Sequence, residues 1–130
     1  QSGSVFISVC DRDKRSVAPV ALSLRNLGYD LLATRGTAKT LRAAGIPCEV
    51  VKPISEGSPN ILDLMAEGRI SFLINTPKGH SSRGDGTKMR GEAVSRGIDM
   101  ATTMSGAVAL VQAIAALREG PLTVNALQDL

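Results

Sequence analysis

Tyr29-Asp30-Leu31-Leu32-Ala33-Thr34-Arg35-Gly36-Thr37-Ala38 passes directly from an apolar run to a helix start. The run over 29–33 is too short for a stable helix and reads as a strand. Thr37 reads as the cap of a helix carrying Ala38, Leu41 and Ala44, which Gly45 ends. A strand running at once into a helix is the junction from which parallel α/β folds are built.

The same order recurs on both sides. Upstream, 5–10 is an apolar strand ending at Asp11, and Val17, Val20, Ala21, Leu24 and Leu27 then recur at helical spacing up to Gly28. Downstream, 47–51 reads as a third strand, closed by Lys52-Pro53 because proline cannot continue a ladder. A loop over 55–58 with Gly57 leads to a helix opened by Pro59 or Asn60, running through Ile61, Leu64 and Met65 to Gly68. Residues 70–74 form a strand that delivers Asn75-Thr76-Pro77, and the polar, glycine-rich 78–86 follows as a loop. A helix over 87–96 turns Met89, Ala93 and Val94 inward, 99–102 is the last strand, and Ser105 or Gly106 opens an apolar helix to Leu117. The tail over 120–130 is a small terminal element or a docking segment. Five strands alternating with helices predict a parallel sheet covered on both faces, with every strand-to-helix junction on one edge. Residues 4–130 read as one domain, without repeat or linker.

Composition narrows the function classes. The 130 residues are 43% hydrophobic but only 2% aromatic, so the core is aliphatic. A net charge of +3, scattered and without stacking aromatics, argues against nucleic-acid binding. The most apolar late segment, 107–117, is too short to span a bilayer and carries Gln112, so no membrane role and a cytoplasmic setting are expected. Cys10 and Cys48 read as buried free thiols, with a disulfide as the alternative. His80 is the sole histidine, so no metal site is expected.

The residues that follow the strands are Asp11-Arg12-Asp13-Lys14, Thr34-Arg35-Gly36-Thr37, Lys52, Asn75-Thr76 and Thr102-Thr103. Hydroxyls and backbone N–H groups at a helix start hold a phosphate, Gly36 permits close approach, and Lys14 and Lys52 add charge. Asn75 supplies both a donor and an acceptor for an uncharged part of a ligand. Each residue alone has a simpler reading: Thr37 as a cap, Gly36 as a turn, Lys14 as a solvated side chain, Thr76 and Thr102 as partners of local backbone. Their recurrence at equivalent junctions favours one anion site. Neither GxGxxG nor GxxxxGK[ST] occurs. Asp11, Asp13, Glu56, Asp85 and His80 are the acid–base candidates, but no nucleophile–base–orienter set follows from spacing, and no catalytic residue is assigned.

Ser8-Val9, Asp13-Lys14, Ala33-Thr34-Arg35-Gly36-Thr37-Ala38, Glu56-Gly57-Ser58-Pro59-Asn60-Ile61, Ile74-Asn75-Thr76-Pro77 and Arg83-Gly84-Asp85-Gly86 resemble, in order and over nearly the whole chain, the carboxy-terminal domain of the carbamoyl-phosphate synthase large subunit. The resemblance implies a methylglyoxal-synthase-like fold, a three-layer α/β/α arrangement with a five-stranded parallel sheet. It implies an allosteric module of a glutamine-dependent, ATP-using synthetase that serves pyrimidine and arginine synthesis. By that resemblance Lys14, Thr34, Gly36, Thr37, Lys52 and Asn75 match the positions that hold UMP or IMP, and Thr76 neighbours them. Arg35 stands where relatives often carry histidine and would add phosphate affinity, and Pro77 replaces a hydroxyl residue. The implied partners are the rest of the large chain and, through it, the glutamine amidotransferase small subunit; no cofactor is implied beyond the effector. Two cousins of the fold are methylglyoxal synthase, a phosphate-eliminating enzyme that is the alternative reading, and IMP cyclohydrolase, which diverges after the third strand. A structural module with a vestigial pocket is a third option.

Overall fold

The computed structural model describes residues 3–77 and 85–129, and the side chains of 85 and 119–129 lie outside that description. The five strands are β1 (Ser4–Ser8), β2 (Asp30–Ala33), β3 (Glu49–Val50), β4 (Ile70–Asn75) and β5 (Asp99–Ala101). Between and after them run α1 (Val17–Asn26), α2 (Arg35–Ala43), α3 (Ile61–Ala66), α4 (Asp85–Arg96) and α5 (Met104–Asp129). All pairings are parallel, in the order β3-β2-β1-β4-β5.

Alternation along the strands makes two apolar layers. Val5, Ile7, Leu31, Ala33, Phe72 and Ile74 face α1, α2 and α5, meeting Val17, Ala21, Leu24, Leu41, Ala107 and Val111. Phe6, Leu32 and Leu73 face the other way, onto Ile61, Leu64 and Met65 of α3 and Met89 and Ala93 of α4. Each fully buried aliphatic side chain, Leu24 and Leu41 among them, contributes roughly 1.5–3 kcal/mol of transfer free energy. Tyr29 meets Phe72 edge to face at 5.6 Å, and Arg118 of α5 lies 5.2 Å above the Tyr29 ring while donating to the Leu27 carbonyl. These contacts fasten α5 to the turn between α1 and β2, where Gly28 takes φ +98°.

Several details depart from the sequence reading, the first being that β1 ends at Ser8 and not at Cys10. Helix α2 starts at Arg35 with Thr34 as its N-cap residue, so Thr37 lies inside the helix. Strand β3 is two residues long, because it is an edge strand that Lys52-Pro53 cuts off after Val51 donates to Ala33 O at 2.8 Å. Val94 is 75% exposed, one step around α4 from the buried Met89–Ala93 line. The last helix opens at Met104 and runs past Leu117 to Asp129.

Candidate functional site

Strand β1 is flanked by β2 and β4, so the connections leaving β1 and β4 diverge and open a crevice at the carboxyl ends of the strands. Ser8 and Asn75 face each other there, and Thr76 N–H donates to Ser8 O at 3.0 Å. Just beyond β1 the chain is gripped from both sides. Val9 N–H donates to Thr37 Oγ1 at 3.1 Å, and Cys10 N–H donates to Thr76 Oγ1 at 2.9 Å. Both threonines are buried. Their hydroxyls satisfy backbone donors that would otherwise be orphaned out of water.

The start of α2 carries no side-chain cap. Thr34 has extended φ/ψ and makes no side-chain cap; its hydroxyl donates instead to Thr37 Oγ1 at 3.2 Å. The first intrahelical bond is Ala38 N–H to Thr34 O at 2.7 Å. The N–H groups of Arg35, Gly36 and Thr37 precede that bond and, like all first-turn amides, have no carbonyl within their own helix. They form a positive helix end of the kind that binds phosphate. Lys14 stands beside it: a Cβ added to Gly36 would lie 3.5 Å from both Lys14 Cε and Nζ. Lys14 Nζ is steered there by Val9 O at 3.2 Å and Asp11 Oδ1 at 2.8 Å. Asp13 accepts from the buried Cys10 thiol at 3.2 Å.

On the α3–α4 side of the crevice is a cavity of about 100 Å³. Ser8, Thr34, Lys52 and Asn75 line it with polar groups, and Phe6, Ile54, Ile61 and Met89 give it an apolar floor. Gly86 of α4 closes one wall, where an added Cβ would lie 3.7 Å from Asn75 Nδ2. Whole-ligand pockets usually enclose about 300 Å³ or more. This cavity has room for one ring-sized group and not for a whole drug-sized ligand.

Arg35 and Glu56 form a two-pronged ion pair at 2.7 and 2.6 Å, joining α2 to the short 3-10 turn Ile54–Glu56. The Arg35 hydrogen bond, with help from the charges of Arg35 and Lys52, holds the Glu56 carboxyl below its ordinary value of 4.5. The same partner raises the Arg35 guanidinium.

Of the residues predicted from sequence, Lys14, Thr34, Gly36 and Thr37 gather at the start of α2, while Thr34, Lys52 and Asn75 share the cavity. Thr37 and Thr76 direct their hydroxyl oxygens to backbone, and Arg35 is engaged by Glu56. Thr102 and Thr103 line a separate depression of about 360 Å³ beside β5, where Thr103 Oγ1 accepts from Gly106 N–H at 2.9 Å. Residues 78–84, His80 among them, and the Asp85 side chain lie outside the described residues. Asp11 and Glu56 are paired with Lys14 and Arg35 respectively. Sequence reasoning missed Phe6, Ser8 and Met89 as cavity walls; the polar Ser8 interrupting the apolar run over 5–10 was the available signal. Cys10 and Cys48 are free, Cys10 buried and Cys48 half-buried, and burial pushes the Cys48 thiol up. Among the described residues no group of three or more His, Cys, Asp or Glu is placed to hold a metal ion, and no helix is long and apolar enough to cross a membrane.

A parallel sheet with a helix start at its switch point defines a doubly wound α/β domain, the class in which ligands bind at the carboxyl ends of the strands. Residues 16–102 match the MGS-like domain family, and the chain belongs to it. It is homologous to the C-terminal section of the carbamoyl phosphate synthase large chain. The protein of that description from Methanopyrus kandleri is 51% identical over 129 residues, covering 98% of this chain and 24% of the relative. A carbamoyl phosphate synthase large chain from Synechocystis is 43% identical over 129 residues, covering 98% of this chain and 12% of the relative. The chain thus spans a quarter or less of these relatives. Among solved structures, a methylglyoxal synthase from Elizabethkingia anophelis NUHP1 superposes with TM-score 0.69 at 16% identity, covering 84% of this chain and 76% of that one. ForH superposes with TM-score 0.61 at 21% identity, covering 92% and 82%. These two share the fold.

Proposed function

We propose that this domain is the effector-binding module of a carbamoyl phosphate synthase large chain and that its ligand is a nucleoside monophosphate of the UMP or IMP type. The observation that carries the reading is the start of α2, where the Thr34 hydroxyl makes no cap and Lys14 stands against Gly36. A phosphate dianion there accepts from the Arg35–Thr37 amides and from Lys14. The ribose or base then reaches the cavity, where Lys52 and Asn75 supply polar contacts and Phe6 and Met89 an apolar surface. Its proposed partners are the remainder of the large chain and, through it, the amidotransferase small subunit. Regulation follows if the ligand binds two states of the synthetase unequally.

Calorimetry with UMP, IMP, uridine and ornithine tests the reading. Saturable binding of UMP or IMP, absent for uridine and weakened at least about tenfold in Lys14→Ala, is the expected result, since charge-assisted phosphate contacts are the strong ones. Equal binding of uridine and UMP, or no binding of either nucleotide, would contradict it.

A further inference from the structure

Arg35 is the first residue of α2, yet its guanidinium does not stand free for an incoming anion: Glu56 holds it through two short hydrogen bonds. The pair links the two segments that form one side of the cavity. Thr34 precedes Arg35, and Lys52, Pro53 and Ile54 precede Glu56, all four lining the same space. Both members of the pair are exposed, so either can turn away without leaving a buried charge unpaired. Gly57, immediately after Glu56, has φ +95° and open space at its Cβ position. Its carbonyl accepts from Asn60 Nδ2 at 3.2 Å and Ile54 packs against the core, so the turn is anchored at its ends and Arg35 is the tie at Glu56 itself.

We propose that Glu56 is an internal counter-anion for the phosphate site, and that a bound phosphate takes Arg35 from it and releases the Ile54–Glu56 turn. The inference rests on the effector reading for its ligand and adds the element that registers occupancy. With the site empty, Arg35 ties α2 to the segment after β3. With phosphate bound, Arg35 serves the ligand and that tie is broken. Arg35 thereby has two alternative partners, and the turn has two states that one ligand biases.

Titration of the 130-residue chain with inorganic phosphate, read from the backbone amides of 35–37, measures the competition without requiring any nucleoside contact. Four forms are compared: wild type, Glu56→Gln, Arg35→Ala and the double variant. The expected result is a gain of about two- to fivefold in phosphate affinity for Glu56→Gln, the range set by an exposed ion pair. That gain should disappear when Arg35 is already alanine, because it operates through that guanidinium. In the wild type, saturating phosphate should also return the Glu56 carboxyl toward its ordinary value, read from its side-chain carbon resonance. Unchanged or weaker affinity in Glu56→Gln overturns the proposal, as does an equal gain in the Arg35→Ala background, which would be a general charge effect. UMP binding no tighter than inorganic phosphate would sink the nucleotide reading and leave this comparison standing. Absence of phosphate binding in all four forms would overturn both.

Discussion

Val9 donates its backbone N–H to Thr37 Oγ1 at 3.1 Å across twenty-eight positions of sequence, and Thr37 is wholly buried. Its neighbour Cys10 donates to Thr76 at 2.9 Å from the other side. The two hydroxyls pin the segment leaving β1 between α2 and the end of β4. They therefore hold together the rim that carries Lys14.

Replacing either hydroxyl by a methyl group leaves a backbone donor without its partner. Thr37→Val and Thr76→Val are each expected to lower stability by about 1–3 kcal/mol, the cost of stranding a buried N–H. Urea unfolding checks this through a lower midpoint at unchanged slope. A loss below about 0.5 kcal/mol in both would mean that the backbone finds other partners, as surface substitutions usually show.

Gly36→Ala should separate folding from binding. Its added Cβ meets only the far end of Lys14, at 3.5 Å, which is ordinary contact. Stability is expected to change by no more than about 1 kcal/mol, in the stabilising direction that alanine's helix propensity gives. Phosphate affinity should fall several-fold, because the methyl group occupies the approach between the α2 amides and Lys14. Thermal unfolding and phosphate titration on one sample read the two effects. A large loss of stability would contradict the open space at Gly36.

Much of the order of elements was legible in the sequence, for physical reasons that individual residues display. Pro59 or Asn60 reads as the helix start, and Asn60 is the one that caps it: it accepts from Leu62 N–H at 2.8 Å while Asp63 accepts from Asn60 N–H, also at 2.8 Å. Such caps depend on residues two or three apart. Thr37 was read as a cap by the same local logic, but its partner lies in a different βα unit, and Thr34 three residues earlier took the cap position. The Arg35–Glu56 pair was invisible for a similar reason, since it exists only once β3 has brought the following turn beside α2. The apolar character of Val94 predicts an inward side chain, yet the Met89–Ala93 line already fills the buried stripe of α4 and Val94 is exposed. At the end of the chain, the helix expected to stop at Leu117 runs on to Asp129.

The α3 cap adds an acid-sensitive contribution to stability. The Ser58 hydroxyl first, and then the Asn60 N–H, hold the Asp63 carboxyl below its ordinary value of 3.8. A depressed folded value stabilises the native state above the unfolded value, and this contribution is lost as pH falls through the folded one. The stability difference between wild type and Asp63→Ala should therefore be full at pH 6 and shrink below about pH 4, the unfolded aspartate range. Urea midpoints across that interval check it. A difference that stays constant down to about pH 2 would show that the contact does not depend on the charge.

The amide spectrum of the chain titrated with UMP locates the phosphate by observation. Saturable shifts centred on Arg35, Gly36 and Thr37, extending to Lys14, Lys52 and Asn75 and absent with uridine, are the predicted result. Shifts centred instead on the Thr102–Thr103 depression, or no saturable shift at α2 at all, would contradict a phosphate site at the start of that helix.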